Sequence, residues 1–481
     1  MKIRAIADQQ AAVSPSAGLA EFEAMRELLG CVSGDYGPVL RASSFLGTGG
    51  VGGGSYSGYS ELYDLDGLMR DSYCQPSMEP GVNDTLFGGG KGFALGPTLL
   101  STVGEAVERG IATLVGCSPY LPDVRVVGSY QDMVRDGRPA VDPEGLGLFS
   151  EQQYASPRFL YKPFTRDSKV MWLRARRVVS GDEVWVPAQL VDMVHIFDAC
   201  EDVVGYPVSG GLSCHISPRA ALYHGLTEVI ERDAVNVSWY TAAVPARVRL
   251  GARIREQLGG FVDRFELDHS EAYLLLHCSD VCSAPTFSFI GTQRWLRRRQ
   301  YCAGGGCDLV PDSALAKAAV EFGQTRSTLS ASVVAPGSVV GRTVEKMFDW
   351  TAGRPLAEMT LFFQAIGYYG LDENIGLLDP YLDGPVIDYE DVVEAGCGLG
   401  KDTSVEERLE VLLSELSASG IDPIVLDYSH PDWNTLAIMK VFVPQLSNPF
   451  MQSRPMLGHT RLAEIRPEIR IGSTAQPLPY P

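Results

Sequence analysis

Three long stretches of the chain repeat apolar residues every three to four positions, which is the period of an α-helix. They cover roughly residues 95–116, 217–239 and 312–331. In the first, Val103, Val107, Ile111 and Leu114 fall on one side, with Ser101, Glu105 and Glu108 on the other. In the second, Leu222, Leu226, Ile230 and Val237 oppose Glu228 and Glu231, which again stand one turn apart. In the third, Leu315, Phe322 and Leu329 form the apolar side, and Glu321 and Gln324 share the polar side, with Arg326 shortly after. A shorter helical pattern fills 17–29, and β-rich runs at 169–179, 184–196 and 438–446 predict strands. The expected class is mixed α/β (α+β), with helices packed on β-sheets and no fixed-period repeat. Glycine-rich runs at 46–60 and 87–92 predict loops. Gly47, Gly49 and Gly52 make a formal GxGxxG, but no apolar strand leads into it and no helix pattern follows, so a dinucleotide site is not expected. Gly92 follows Lys91 where a Walker loop needs Ser or Thr.

Composition narrows the picture. Apolar residues make up 45% and charged residues 21% of 481 positions, the balance of a soluble globular protein. No apolar run is long enough to span a bilayer, so no membrane partner is expected. The first residues lack a signal-peptide core and cleavage site, which makes the cytoplasm the expected compartment. A net charge of −19 without a basic stripe argues against nucleic acid. Ten cysteines in such a chain read as reduced thiols. The nearest pairs, Cys278 with Cys282 and Cys302 with Cys307, miss the zinc-knuckle spacing. His224, His430 and His459 read as structural histidines.

The glutamate pairs then carry the chemistry. Singly, each is what a solvated helix face shows. Like charges one turn apart weaken a helix slightly, however, and neither pair has a lysine four residues on to compensate. If two such faces met, the carboxylates would repel unless a divalent cation lay between them. Carboxylate oxygens are ligands that Mg2+ prefers, usually shared with phosphates.

Three segments resemble the YcaO superfamily in order: "GGGKGFALGPTLLSTVGEAVER", "GLSCHISPRAALYHGLTEVIERDAV" and "GGGCDLVPDSALAKAAVEFGQTR". Weaker similarity runs through 148–157, "VWVPAQLV" and "VFVPQL", so residues 31–481 are read as one YcaO-like domain and residues 1–30 as a helical extension. The resemblance implies an ATP-binding fold without a Walker loop. Carried over position by position, it makes Glu105, Glu108, Glu228 and Glu231 magnesium ligands and places Ser101, Glu321, Gln324 and Arg326 on the nucleotide. Arg41 or Lys91 would be the basic residue near the phosphates. Arg109 and Arg232 read either as supporting ion pairs or as surface salt bridges. The ending "PLPYP", with Pro477, Pro479 and Pro481, resembles the Pro-x-Pro-x-Pro tail that reaches into the active site of the azoline-forming branch. Proline fixes φ, so such a segment is stiff and loses little entropy on docking.

The expected activity is therefore an ATP- and Mg2+-dependent cyclodehydratase component. It would phosphorylate a backbone amide oxygen of a ribosomal precursor peptide after attack by a Cys, Ser or Thr side chain, leaving a thiazoline or oxazoline. Phosphorylation turns a poor leaving group into a good one, and positioning with charge stabilisation carries most of such a transfer. A ThiF-like, ubiquitin-activating-like partner that binds the leader is expected as a separate protein, because nothing before residue 31 resembles one. A flavin-dependent azoline dehydrogenase and a homodimer are further expectations. Rival readings are thioamide or macroamidine formation and a silent peptide-binding scaffold.

Overall fold

The computed structural model describes residues 17–32, 38–46, 55–63, 88–116, 124–157, 159–241, 243–267, 271–277, 279–292, 301–430, 433–447, 453–462, 464–466, 470–471 and 474–480. The three helices read from periodicity appear as α2 (Leu95–Gly116), α3 (Pro218–Tyr240) and α4 (Pro311–Val334), preceded by α1 (Ala17–Gly30) and followed by α5 (Val405–Ala418). Local chemistry sets several of their ends. The Ser217 side chain accepts the Ala220 amide at the start of α3, with Pro218 at the first helical position. Ser404 and Glu407 form a reciprocal capping box on α5.

Three sheets carry these helices. The first, β1 (Val39–Leu46), β2 (Tyr56–Leu62) and β3 (Lys91–Gly92), is antiparallel and packs under α2. The run expected as a loop over 46–60 is thus strand from Tyr56 onward. Its buried residues, Ser57, Gly58 and Ser60, are small, so the β pattern lies in packing against α2 and not in apolar alternation. The GxGxxG lies outside the described residues.

A six-stranded antiparallel sheet runs β4 (Arg125–Gly128), β5 (Val170–Arg177), β13 (Ile424–Asp427), β14 (Ala437–Phe442), β7 (Leu212–His215), with β6 (Glu183–Pro187) also on β5. Of the strand expected over 184–196, only the part up to Pro187 pairs; Ala188–Leu190 turns into a 3-10 helix. A five-stranded sheet runs β11 (Tyr301–Cys307), β10 (Thr286–Thr292), β9 (Glu271–His277), β8 (Ala246–Val248), β12 (Val386–Ile387). Its strands are antiparallel except for the β8–β12 pair.

Helix α3 packs against β14 and β7 on one side and against β11 and β10 on the other. A helix between two sheets is buried all round. Leu222, Leu226 and Ile230 are buried, but so are Thr227, Asp233, Asn236 and Ser238 on its other sides. The amphipathic reading of 217–239 is corrected here: its polar positions face protein, not solvent. Helix α4 lies against β11, and α2 reaches β7, so each of the two sheets that flank α3 also carries one of the other glutamate-bearing helices.

The run Gly304–Gly306 permits this approach. A Cβ at Gly304 would lie 2.1 Å from the Phe322 amide nitrogen, and one at Gly306 would lie 2.5 Å from the Ala314 carbonyl oxygen. Helix α1 is tied to the body through Glu27, whose carboxylate accepts the amides of Asn434, Thr435 and Leu436. Among the described residues no helix is long and apolar enough to cross a membrane.

Candidate active site

Every glutamate singled out on α2, α3 and α4 faces a common cleft. On α2, Glu105 accepts the Gly89 amide at 3.0 Å and pairs with Arg109, four residues on, at 2.5 Å, so an arginine supplies the intrahelical compensation that no lysine gives. Glu108, one turn on, accepts a backbone hydrogen bond from Cys214 at the end of β7. On α3, Glu228 accepts the Gly211 amide at 3.1 Å. Gly211 holds φ +79, and a Cβ there would meet the Val441 carbonyl oxygen at 2.4 Å, so this turn requires glycine. Lys91, from the glycine turn before α2, pairs with Glu321 of α4 at 3.1 Å. Gln324 donates to the Gly90 carbonyl at 3.1 Å, clamping the same turn.

These groups also act on one another's charge. Burial, reinforced by the charges of Glu105 and Glu228, pushes the Glu108 carboxyl well above the usual range, although Arg109 and the Cys214 amide work the other way. Burial likewise raises Glu228, against Arg232, the Gly211 amide, Lys440 and Lys91. It raises Glu231 too, where Glu321 and Glu228 add repulsion that Arg232 and Lys91 only partly offset. Burial disfavours the Lys91 charge, yet Glu321, Glu105 and Glu231 together hold its pKa above the ordinary lysine value.

Among the described residues no three His, Cys, Asp or Glu side chains are gathered closely enough to ligate one ion. Glu105 is engaged by Arg109, Glu228 by the Gly211 amide and Glu321 by Lys91. The raised carboxyls nevertheless mark a cleft whose own cations do not neutralise it, and a divalent ion suits that deficit. The Glu231 carboxylate lies tight against β11: a Cβ on Gly305 would come within 2.7 Å of Glu231 Oε1, so the strand needs a glycine there.

Other candidates fall differently. Ser101 is exposed on α2, one turn before Glu105. Arg326 is buried within α4. Arg109 and Arg232 belong to the cleft and are not surface salt bridges. Arg41 lies exposed on β1 and pairs with Glu61 at 2.6 Å, whereas Lys91 sits among the glutamates. His224 stacks on His215 with ring centroids 4.5 Å apart, His459 contacts the Pro444 carbonyl, and His430 packs on Trp433.

Residues 476–480 are buried, and the Tyr480 hydroxyl feels the Glu231 charge. Pro477 and Pro479 lie in this segment; Pro481 lies outside the described residues. The sequence reading missed Lys440, fully enclosed on β14. Its ammonium donates to the carbonyls of Val208 and Gly210 at 2.5 and 2.7 Å, and burial lowers its pKa to about 8 despite Glu228 and Glu108 nearby. A lone lysine in the all-buried run Ala437–Phe442 was the available signal.

An α/β fold that gathers helix-borne glutamates beside a lysine on a glycine turn, without a Walker loop, defines a class suited to a magnesium-bound nucleotide. A family model described as YcaO cyclodehydratase, ATP- and Mg2+-binding, matches residues 89–447, and the chain belongs to the YcaO family. It is 28% identical over 177 residues to an uncharacterized protein of Methanothermobacter thermautotrophicus, a match covering 36% of this chain and 45% of that protein. A solved heterocyclase in complex with substrate and cofactor is similar with TM-score 0.65 and 18% identity, over 94% of this chain and 56% of that one. YcaO from Methanopyrus kandleri, bound with AMPPCP and Mg2+, is similar with TM-score 0.55 and 15% identity, over 91% and 93%. The chain thus spans about half the length of the curated relative and of the heterocyclase.

Proposed function

We propose that the chain is the ATP-dependent component of a peptide cyclodehydratase, forming azolines from Cys, Ser or Thr residues of a ribosomal precursor peptide. The observation that carries this reading is that the buried segment 476–480 is held by Trp239 and Tyr240 of α3, the helix that bears Glu231, and by Tyr301 of β11, the strand whose Gly305 lies beside that carboxylate. Glu105, Glu108, Glu228 and Glu231 would hold magnesium, exchanging their present partners for the ions. Ser101, Glu321, Gln324, Arg326 and Lys91 would hold the nucleotide. Bound there, ATP and Mg2+ supply the phosphoryl group that makes an amide oxygen a leaving group.

The residues of the chain do the rest. Lys91 and Arg109, now paired with Glu321 and Glu105, would supply positive charge to the phosphates. The proline-rich segment holds the peptide-facing side of the cleft rigid, so the attacking side chain and the amide carbonyl meet in one geometry. A leader-binding partner protein supplies the precursor.

The test combines the chain with MgATP, a candidate leader-binding partner and a short Cys-, Ser- and Thr-rich peptide encoded beside its gene. The expected product has lost one water per ring, with one phosphate released for each. Exchange of oxygen for sulfur would favour thioamide formation. Absence of peptide-stimulated phosphate release would reduce the chain to a binding scaffold.

A further inference from the structure

Burying the extended segment 476–480 raises a hydrogen-bonding problem, because each carbonyl and amide taken from water needs a partner. Pro477 and Pro479 have no amide hydrogen, so the segment is rich in acceptors and poor in donors. The wall around it is the converse. The Tyr301 hydroxyl donates to the Pro479 carbonyl at 2.5 Å and the Tyr369 hydroxyl to the Pro477 carbonyl at 2.6 Å. The Trp239 indole and the Tyr240 hydroxyl both reach the Gln476 carbonyl, at 3.3 and 3.4 Å, and Tyr368 donates to the Gln476 side chain at 2.7 Å.

At the far end, Tyr480 joins a closed polar ring. Its hydroxyl bonds Ser288 and lies 3.4 Å from the Tyr381 hydroxyl; His277 completes the ring through Nε2 to Ser288 at 2.9 Å and Nδ1 to Tyr381 at 3.4 Å. All four side chains are buried. The two tyrosine contacts fall on carbonyls two residues apart. A slip by one residue would present Leu478, with its amide hydrogen, where a proline now fits.

We propose that Tyr301 and Tyr369, with His277 at the far end, are positioning residues that lock segment 476–480 in a single register on α3 and β11. They act through the segment and touch neither nucleotide nor metal. The benefit to turnover rests on the function proposed above; the lock itself does not.

The test uses the full chain as Tyr301→Phe, Tyr369→Phe, the double variant and His277→Gln. Each Phe keeps the ring and removes only the donor. Hydrogen exchange is read on the peptic fragment carrying Leu478 and Tyr480, and magnesium–AMPPCP binding is read by calorimetry. Losing one such bond should speed exchange of that fragment about ten-fold, and losing both should speed it further. The fragments covering α2 and α3 should exchange as in the parent, and AMPPCP affinity should stay within about three-fold, since no nucleotide contact is removed. Unchanged exchange in 476–480 overturns the lock. So does acceleration spread evenly over the molecule, which would mean a general structural role. A parent chain that fails to bind magnesium–AMPPCP would refute the ATP site instead, and the exchange contrast would still decide the lock.

Discussion

Two of the buried charge clusters in this molecule are satisfied in opposite ways. In one, Arg125 grips Asp192 with two nitrogens at 3.0 and 3.2 Å, and His195 bridges from Asp192 at 3.0 Å to Glu201 at 3.3 Å. Glu201 also takes the Met171 amide and the Gln189 side chain. Burial opposes its charge, yet these bonds hold the Glu201 carboxyl below the usual range. In the other, between α2, α3 and α4, the same burial leaves Glu108, Glu228 and Glu231 raised in spite of Arg109, Arg232, Lys91 and Lys440. A cluster that completes its own pairing serves the fold. One that stays short of positive charge is poised for a ligand that brings it.

The sharpest way to break the comparison is to neutralise one carboxylate in each cluster. Glu231→Gln should cut ATP turnover about a thousand-fold or more, in line with losing a preorganised electrostatic partner, while raising the melting temperature because repulsion is relieved. A stable variant with parental turnover would remove Glu231 from the site. Asp192→Asn should do the reverse. It leaves Arg125 short of a buried partner and should cost roughly 3–5 kcal/mol of stability in denaturant titration, with turnover per folded molecule unchanged.

A subtler probe is pH. Burial disfavours the His195 charge, but Asp192 and Glu201 push its pKa up to about 9. A group raised in the folded state stabilises fully below its unfolded pKa and loses that contribution as pH climbs through the folded value. Stability should therefore fall by an amount on the order of 3 kcal/mol between roughly pH 6.5 and 9, and His195→Gln should flatten that slope. An equal slope in both proteins would show that His195 does not carry the charge.

The smallest expected effect comes from Gly305→Ala. Its Cβ would crowd Glu231 Oε1, so calorimetry should show magnesium-dependent nucleotide binding weakened about ten-fold with little change in melting temperature. Unaltered affinity would mean that the exact placement of the Glu231 carboxylate does not matter for binding.

How much of this was legible in the sequence follows the same division. The three long helices and the spacing of their glutamates were readable because a 3.6-residue period and an i, i+3 pair are local facts. The setting of α3 was not. A helix placed between two sheets needs apolar or neutral contacts all round, and Thr227, Asn236 and Ser238 gave no local warning that they would be buried. Arg41 and Lys91 were indistinguishable as isolated cations. Only strand pairing turns Arg41 outward to Glu61 and brings the glycine turn of Lys91 under α4. The aromatic wall around 476–480 draws on Trp239, Tyr301, Tyr369 and Tyr381, distant along the chain and unmarked by any motif. Its sequence trace was the alternation of prolines in the segment it holds.

The central claim is that the glutamates of α2 and α3 act together as a magnesium site for nucleotide. Calorimetric titration of AMPPCP into the parent chain and into Glu108→Gln/Glu231→Gln, each with and without Mg2+, tests it most directly. The account predicts binding to the parent only when Mg2+ is present and none to the double variant. Binding of equal strength in all four titrations would contradict it.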